Sequence, residues 1–123
     1  MTLVYWIPAI VYALLIYALS SQSHPPGVEV APDYVLHFIE YGVFALTVIW
    51  GSTRGLRLTL TASRAATAWL ITSLYAATDE IHQFFVPERH ASGQDFTVDL
   101  LGAFTFTLAA YLIIERFYRY NSK

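Results

Sequence analysis

The sequence predicts an all-α fold, a bundle of four transmembrane helices in a single domain, residues 1–123. Apolar residues make up 56% of the chain and charged residues 13%, against roughly 45–50% and about 25% in ordinary soluble domains. Four apolar stretches each approach the roughly 17–25 residues that an α-helix needs to cross a bilayer. Short polar segments that contain Gly or Pro separate these stretches.

The first stretch, residues 3–19, is wholly apolar and is the clearest membrane helix. The tripeptide Ala18-Leu19-Ser20 loosely fits a signal-peptide cleavage site. Residues 1–10, however, contain no Lys or Arg for the basic region of a signal peptide, so we predict that this helix is retained. The segment from Ser20 to Pro32 follows it and cannot be helical throughout, because it contains three prolines.

The other predicted helices span about residues 34–50, 65–86 and 96–118, joined by the polar connections 51–63 and 87–94. Ionisable residues interrupt the apolar character of the second and third helices. Charged groups in a membrane are costly and survive where they pair, line a wet cavity or do chemistry. A soluble bundle of very apolar helices is the alternative, but the length and purity of the first stretch favour a membrane.

The distribution of charge predicts the orientation. Six of the seven basic residues lie around the second connection or near the C terminus, which share one side if the chain crosses four times. The positive-inside rule makes that side cytoplasmic and places both termini there. Eight of the nine acidic residues and all four histidines then belong to the outer end. The six basic residues are Arg54, Arg57, Arg64, Arg116, Arg119 and Lys123.

Several function classes are excluded or unsupported. The chain has no cysteine, which excludes disulfides, thiolate metal sites and cysteine nucleophiles. A net charge of -2 and the absence of a basic run give no reason to expect a nucleic-acid partner. No nucleophile motif, phosphate-binding loop or cofactor fingerprint is present.

Polar stripes on three helices meet at the predicted outer end. Residues three, four or seven apart share a helical face, so each stripe is expected to point into the bundle and away from lipid. The stripes consist of Asp33, His37, Glu40 and Tyr41 on the second helix, of Thr72, Tyr75, Asp79, His82 and Gln83 on the third, and of Asp95, Asp99 and Gly102 on the fourth. Gly102 leaves room for a close helix contact.

Carboxylates are in excess at this end. Arg89 is the only permanent cation near six acids, and close-set carboxylates cannot all ionise without a counter-charge. The negative charge must therefore be reduced by protonation of some carboxylates, or offset by a protonated histidine or a bound cation. A purely structural network rarely needs this excess, so we interpret the end as a functional site. The six acids are Asp33, Glu40, Asp79, Glu80, Asp95 and Asp99.

Each residue also has a structural interpretation. Asp33 begins a helix, where an acid favours the helix dipole. Asp95 follows Ser92 at the spacing of a capping box. His82 and Gln83 are of the types that form hydrogen bonds between packed helices.

Two chemical hypotheses remain open. The first is a divalent metal, with Zn, Mn or Mg as the possible ions. The second is metal-free acid/base catalysis by a pair such as His82 with Asp79 or Glu80, while Arg89 could hold a phosphate or carboxylate head group. The candidate metal ligands are Asp33, His37, Asp79, His82 and Asp95. The candidate catalytic residues are Asp33, His37, Asp79, Glu80 and His82, and the candidate binding residues are Tyr41, Gln83, Arg89, Asp95 and Asp99.

Three motifs resemble the VanZ-like family of small bacterial membrane proteins. They are Asp33-x3-His37-x3-Tyr41, Asp79-Glu80-x2-Gln83-x-Phe85-x-Pro87-x-Arg89 and Asp95-x3-Asp99-x2-Gly102. Ser20-Ser21-Gln22 after the first helix fits the same pattern, and the likeness extends from about residue 13 to about residue 106. Asp99 is a departure, because the family usually has asparagine there.

The resemblance implies a location and a role. It places the chain in the bacterial cytoplasmic membrane. The name-giving member is linked to low-level resistance to teicoplanin, a lipoglycopeptide, without clear protection against vancomycin. We therefore expect a role in resistance or in homeostasis of the cell envelope. A membrane lipid, a lipid-linked cell-wall precursor or a lipoglycopeptide would be the partner. The alternatives are an intramembrane enzyme that acts on a lipid-linked phosphate or sugar and a small module that organises a larger membrane complex.

Overall fold

The computed structural model describes residues 2–23, 31–89 and 91–121, which form four α-helices and no strand. The predicted all-α, four-helix class is confirmed. Most of the proline-rich connection, residues 24–30, lies outside the described residues, as do His90 and Lys123. The helices are α1 (Ile7–Ser20, preceded by a 3-10 turn at Leu3–Trp6), α2 (Asp33–Ser52), α3 (Ala62–Phe84) and α4 (Gly93–Asn121).

Local chemistry explains where the helices begin and end. Helix α3 begins after Thr61, whose side chain accepts the backbone N–H of Arg64. It ends at Phe84, two residues before the predicted end, because the proline that follows disfavours helical backbone at Val86. Helix α4 begins three residues earlier than predicted. The hydroxyl of Ser92 accepts the backbone N–H of Asp95 at 3.3 Å and so caps the first turn.

The helices alternate in direction along the chain. At one end, Ser20 of α1 donates a hydrogen bond to Asp79 near the end of α3. At the other end, the Tyr118 hydroxyl of α4 donates to the carbonyl of Leu56, in the connection between α2 and α3. The start of the chain lies at this second end too, because the ring of Trp6 packs directly against Gly51 of α2. Both chain ends therefore lie at the end of the bundle that carries the basic connection.

The bundle is apolar on its outside. Large aliphatic side chains of α1, α3 and α4 point outwards: Leu14 is 63% exposed, Leu74 60% and Ile113 68%. The centre is filled by small residues and a few large ones, including Ala45, Ala68, Ala76, Ala103, Ile16, Tyr41 and Val48. A continuous apolar exterior suits lipid as the surrounding solvent and would be a liability in water.

Among the residues that the structure describes, three helical segments are long and apolar enough to cross a membrane: Leu3–Ser20, Asp33–Ser52 and Gly93–Tyr118. Helix α3 has sufficient length, with 23 residues, but is not one of the three. Its inner face carries Thr72, Asp79, Glu80 and Gln83, all buried, whereas Leu70, Leu74 and Ile81 are exposed on its outer face. These four polar residues lower the hydropathy of α3 although they face the other helices, and the exposed residues Thr67 and Thr78 lower it further. The fourth crossing stays a prediction.

Helices α2 and α4 touch backbone to backbone at Gly102. A Cβ added there would collide with the carbonyl oxygen of Phe38. The predicted close helix contact at Gly102 is confirmed, and it brings the start of α4 against the polar face of α2. This approach positions Asp99 beside His37.

Candidate functional site

The first polar network at the acidic end of the bundle is centred on Asp79, which is 5% exposed. One carboxylate oxygen, Oδ2, accepts hydrogen bonds from Ser20 Oγ at 2.9 Å, Tyr41 Oη at 3.0 Å and Gln83 Nε2 at 3.0 Å. These donors come from α1, α2 and α3. Asp79 therefore joins three helices, and this oxygen is already fully engaged by the protein.

His82 belongs to the contact between α1 and α3. Its Nε2 lies 2.9 Å from Ser21 Oγ, and its ring centroid lies 4.5 Å from that of Tyr17. Within the described residues, no hydrogen bond joins His82 to Asp79 or Glu80. The two members of the suggested acid/base pair are thus not joined by a hydrogen bond in this arrangement, and His82 contacts Ser21 and Tyr17.

The second network is centred on His37, which is buried. Its Nδ1 lies 2.9 Å from Oδ1 of Asp99, a residue that is 1% exposed. An ionised carboxylate only accepts hydrogen bonds, so Nδ1 carries a proton, and Nε2 is the ring nitrogen on the side away from Asp99. On that other side, Nε2 lies 4.0 Å from Oδ1 of Asp33. The imidazole is oriented by Asp99, with Nε2 directed at the start of α2.

Asp95 completes a group of three with His37 and Asp33. One ligand atom from each of Asp33, His37 and Asp95 can be chosen so that all lie within 4.8 Å of one another. Asp33 is exposed, His37 buried and Asp95 half-buried. Three of the five predicted metal ligands are therefore brought together. Asp79 and His82 do not belong to any such group among the residues that the structure describes.

A cavity of about 240 Å³ opens between α1 and α2 beside His37. Half of its ten lining residues are apolar and are called the apolar wall below; the other five, called the charged wall, are two acids, a cation, a histidine and a hydroxyl. Because Leu15 and Ile39 on the rim are about half exposed, the cavity opens towards the outer surface of the bundle. The apolar wall is Tyr12, Leu15, Leu19, Leu36 and Ile39, and the charged wall is Ser20, Asp33, His37, Glu40 and Arg89.

The remaining predicted residues lie around the two networks. Glu80 is 8% exposed, and its Oε2 accepts the backbone N–H of Ser92 at 2.8 Å, which ties α3 to the start of α4. Its second oxygen, Oε1, and Oδ2 of Asp99 are buried without a hydrogen-bond partner among the described residues. Two carboxylates of the site therefore retain unused acceptor atoms.

Sequence reasoning gave too little weight to two residues. Glu40 was identified in a polar stripe but not as a site residue, and it lies in the charged wall of the cavity. Ser20 was noticed only as part of a family pattern, yet its hydroxyl binds Asp79. The sequence does contain a signal for Ser20: its hydroxyl lies at the end of an apolar helix, at the same level as the acids of the other helices.

The predicted binding residues fall into both networks. Tyr41 and Gln83 bind Asp79, Asp99 binds His37, Asp95 joins the group of three, and Arg89 lines the cavity. At Asp99, where the resembled family usually has asparagine, an amide oxygen would accept the same N–H of His37. That departure therefore preserves the geometry and adds a negative charge.

Comparison with known families agrees with the motifs. The VanZ/LLP1 family matches residues 5–114, which include α1, α2, α3, most of α4 and every residue of the two networks. No curated protein and no solved structure matches the chain. The motifs, the apolar helices and this match over most of the chain lead to one conclusion: the protein is a VanZ-like membrane protein and belongs to the VanZ/LLP1 family.

Proposed function

We propose that this protein crosses the bacterial cytoplasmic membrane four times and binds the polar head of an amphiphile at the outer leaflet. The consequence would be low-level tolerance of lipoglycopeptides such as teicoplanin, or homeostasis of the envelope. The observation that carries this proposal is the cavity between α1 and α2, with one apolar and one charged wall. An amphiphile presents the same two kinds of surface.

The charged wall suits the head group of a lipid-linked cell-wall precursor. The planar guanidinium of Arg89 can bind a phosphate or carboxylate through two parallel hydrogen bonds. The carboxylates of Asp33 and Glu40, also in this wall, can accept hydrogen bonds from sugar hydroxyls or amines. Such precursors carry phosphate, sugar and a long apolar chain, which the apolar wall would contact.

The size of the cavity favours a head group over a whole antibiotic. Its volume of about 240 Å³ lies below the roughly 300–1,000 Å³ of pockets that enclose drug-sized molecules. A glycopeptide is larger still. We therefore favour a lipid or lipid-linked precursor as the direct ligand, with drug tolerance as a consequence of that binding.

In the proposed membrane arrangement, α3 is a fourth span in addition to the three apolar segments. Helix α3 runs beside the others from the basic end to the polar end, and large aliphatic side chains, Leu70, Leu74 and Ile81, are exposed along its outer face. With α3 counted as a crossing, the positive-inside rule puts Arg54 and Arg57 in the cytoplasm and the cavity on the outside. Exported precursors and glycopeptides are found on that side.

Enzymatic action on the same class of lipid is the second candidate. One observation favours it: Asp99 orients the ring of His37, a residue that lines the cavity, and a histidine within reach of a bound substrate can act as a general base. A lipid-linked phosphate or sugar would be the substrate. Turnover of a labelled precursor by the purified protein, abolished in His37→Gln, would distinguish an enzyme from a binding protein.

The test of the proposed function compares drug susceptibility in a sensitive Gram-positive host. We expect the wild type to raise teicoplanin tolerance clearly and vancomycin tolerance little. Arg89→Gln and Glu40→Gln should remove the effect, because they change the charged wall. Arg116→Gln, at the other end of the bundle, is the matched control and should behave as the wild type.

Membrane levels of all variants would be equalised before comparison. If the wild type changes neither threshold, the resistance role is wrong. If Arg89→Gln retains full teicoplanin tolerance, the cavity is not responsible for that tolerance. Asp79 is unsuitable for this test, because its hydrogen bonds hold three helices together. A loss of tolerance in an Asp79 variant could come from misfolding as well as from lost ligand binding.

A further inference from the structure

The group formed by Asp33, His37 and Asp95 combines two carboxylates with one imidazole. Its ligand atoms lie within 4.8 Å of one another. A cation held at about 2.0–2.2 Å from each atom would bring the ligand atoms to roughly 3–3.5 Å apart. Because Asp33 is exposed and Asp95 only half-buried, small side-chain rotations would close that difference. The buried imidazole would be the fixed member of the site.

The imidazole is already set for coordination. Metal-bound histidines usually donate their second N–H to a carboxylate, which selects the tautomer and orients the ring. His37 has this arrangement, with Nδ1 at 2.9 Å from Oδ1 of Asp99. Asp99 lies on another helix, 62 positions further along the chain. A histidine needed only to fill the core would not require a buried carboxylate of its own.

Unpaired carboxylate oxygens around the group provide an independent indication of a cation. Oε1 of Glu80 and Oδ2 of Asp99 are buried without a partner among the described residues. Oε2 of Glu80 accepts the backbone N–H of Ser92, whose hydroxyl in turn accepts the backbone N–H of Asp95, so the Glu80 side chain lies at the same turn as Asp95. In this part of the chain, no Lys or Arg forms an ion pair with any of these carboxylates; the ion pairs present are those of His37. Negative charge is in excess.

We propose that Asp33, His37 and Asp95 bind one divalent transition-metal cation at the outer end of the bundle, with Asp99 as the positioning residue for His37. Zn²⁺ and Mn²⁺ fit a donor set of one nitrogen and two oxygens, whereas Ca²⁺ takes oxygen ligands alone. Three protein ligands leave a coordination position open, as in catalytic zinc sites.

The open position gives the cation a role in the cavity. Both Asp33 and His37 belong to the charged wall, so a phosphate oxygen of a head group bound there would be within reach of the cation. This role rests on the proposed function. Cation binding itself does not, because it follows from the ligand geometry and the charge.

The experiment measures cation binding to the purified full-length chain in detergent. After treatment with a chelator, the protein is dialysed against Zn²⁺ or Mn²⁺, and metal per chain is determined by mass spectrometry. We expect a single ion per chain in the wild type. His37→Gln and Asp95→Asn should weaken binding by at least about 10-fold, as expected for loss of a ligand or its support. Co²⁺ absorption provides a spectroscopic signature of the site.

The control is His82→Gln, since His82 is also a histidine of the polar end but lies outside the group. It should bind metal as the wild type does. Asp99→Ala should weaken binding by roughly 10–100-fold, and Asp99→Asn should restore most of it, because the amide oxygen still accepts from His37 Nδ1. A merely structural role for Asp99 would leave the Co²⁺ spectrum unchanged in the folded variant.

The outcomes separate cleanly. A wild type without a stoichiometric ion, or an equal loss in His82→Gln and His37→Gln, overturns the proposed metal site. If His37→Gln does not fold, the exposed residue Asp33 provides the decisive variant, Asp33→Asn, with an unchanged apo melting temperature as the criterion of folding. Metal binding without drug tolerance would refute only the proposed function. Drug tolerance without metal binding would refute only the metal site.

Discussion

Asp79 and Asp99 show how two buried carboxylates of one protein differ in role. Asp79 accepts three hydrogen bonds from side chains on three helices and so connects these helices. Asp99 orients a single histidine and keeps one oxygen without a partner among the described residues. Both lie in motifs of the same family, so motif membership alone does not distinguish a residue that holds helices together from one that serves a site.

Replacement of Asp79 is expected to affect stability first. Asp79→Asn removes the charge that three donors share, and an amide oxygen cannot accept all three equally well. We expect a loss of roughly 1–3 kcal/mol in the free energy of unfolding, measured by denaturant titration in detergent. Thr78→Ala, at the exposed neighbouring position on the same helix, should change stability little. A stable Asp79→Asn variant would mean that the network does not support the bundle.

Helix α3 combines two different faces. Its buried face carries alanines and then the polar residues Thr72, Asp79 and Gln83, while Leu70 and Leu74 face outwards. Composition therefore undervalues it as a span, because a window average mixes residues that meet lipid with residues that meet other helices. Only the rotation of the helix in the bundle separates the two sets.

Helices α2 and α4 depend on their close approach at Gly102. Gly102→Ala places a Cβ against the carbonyl of Phe38, a backbone atom that cannot move without shifting a helix. We expect destabilisation by roughly 1–3 kcal/mol and a weaker His37–Asp99 contact. Gly93→Ala is the matched control on the same helix, since nothing lies within 4 Å of a Cβ there. The measurement is the midpoint of thermal unfolding of both variants in detergent. Equal midpoints for Gly102→Ala and Gly93→Ala would show that the close approach at Gly102 does not contribute to stability.

At the scale of the whole molecule, the two polar connections are predicted to face opposite sides of the membrane. The chain has no cysteine, so single cysteines can report position without interference. Glu88→Cys should react with a membrane-impermeant thiol reagent in intact cells. Thr59→Cys, in the connection between α2 and α3, should react only after lysis. Labelling of both from the same side would show that α3 does not cross.

The overall arrangement explains why so apolar a chain carries an acidic end. Alternating helix directions bring the C-terminal ends of α1 and α3 and the N-terminal ends of α2 and α4 to one level. Side chains there can pair with one another and leave the apolar exterior intact. The molecule thus presents lipid with aliphatic side chains along its length and encloses its polar chemistry at one end.

The sequence by itself determined the four helices, their approximate bounds, the polar end and the family. The helices and the polar end follow from local rules, namely hydrophobic length, helical periodicity, prolines and a capping serine, whereas the family follows from the three motifs. The tertiary structure alone decided the pairings, namely Asp99 with His37, Ser21 with His82, and three donors with Asp79. Periodicity defines which face a residue occupies, but the partner across a helix interface depends on axial offset and rotation. A close approach such as that at Gly102 sets both, and shifts of a few ångströms would exchange one partner for another.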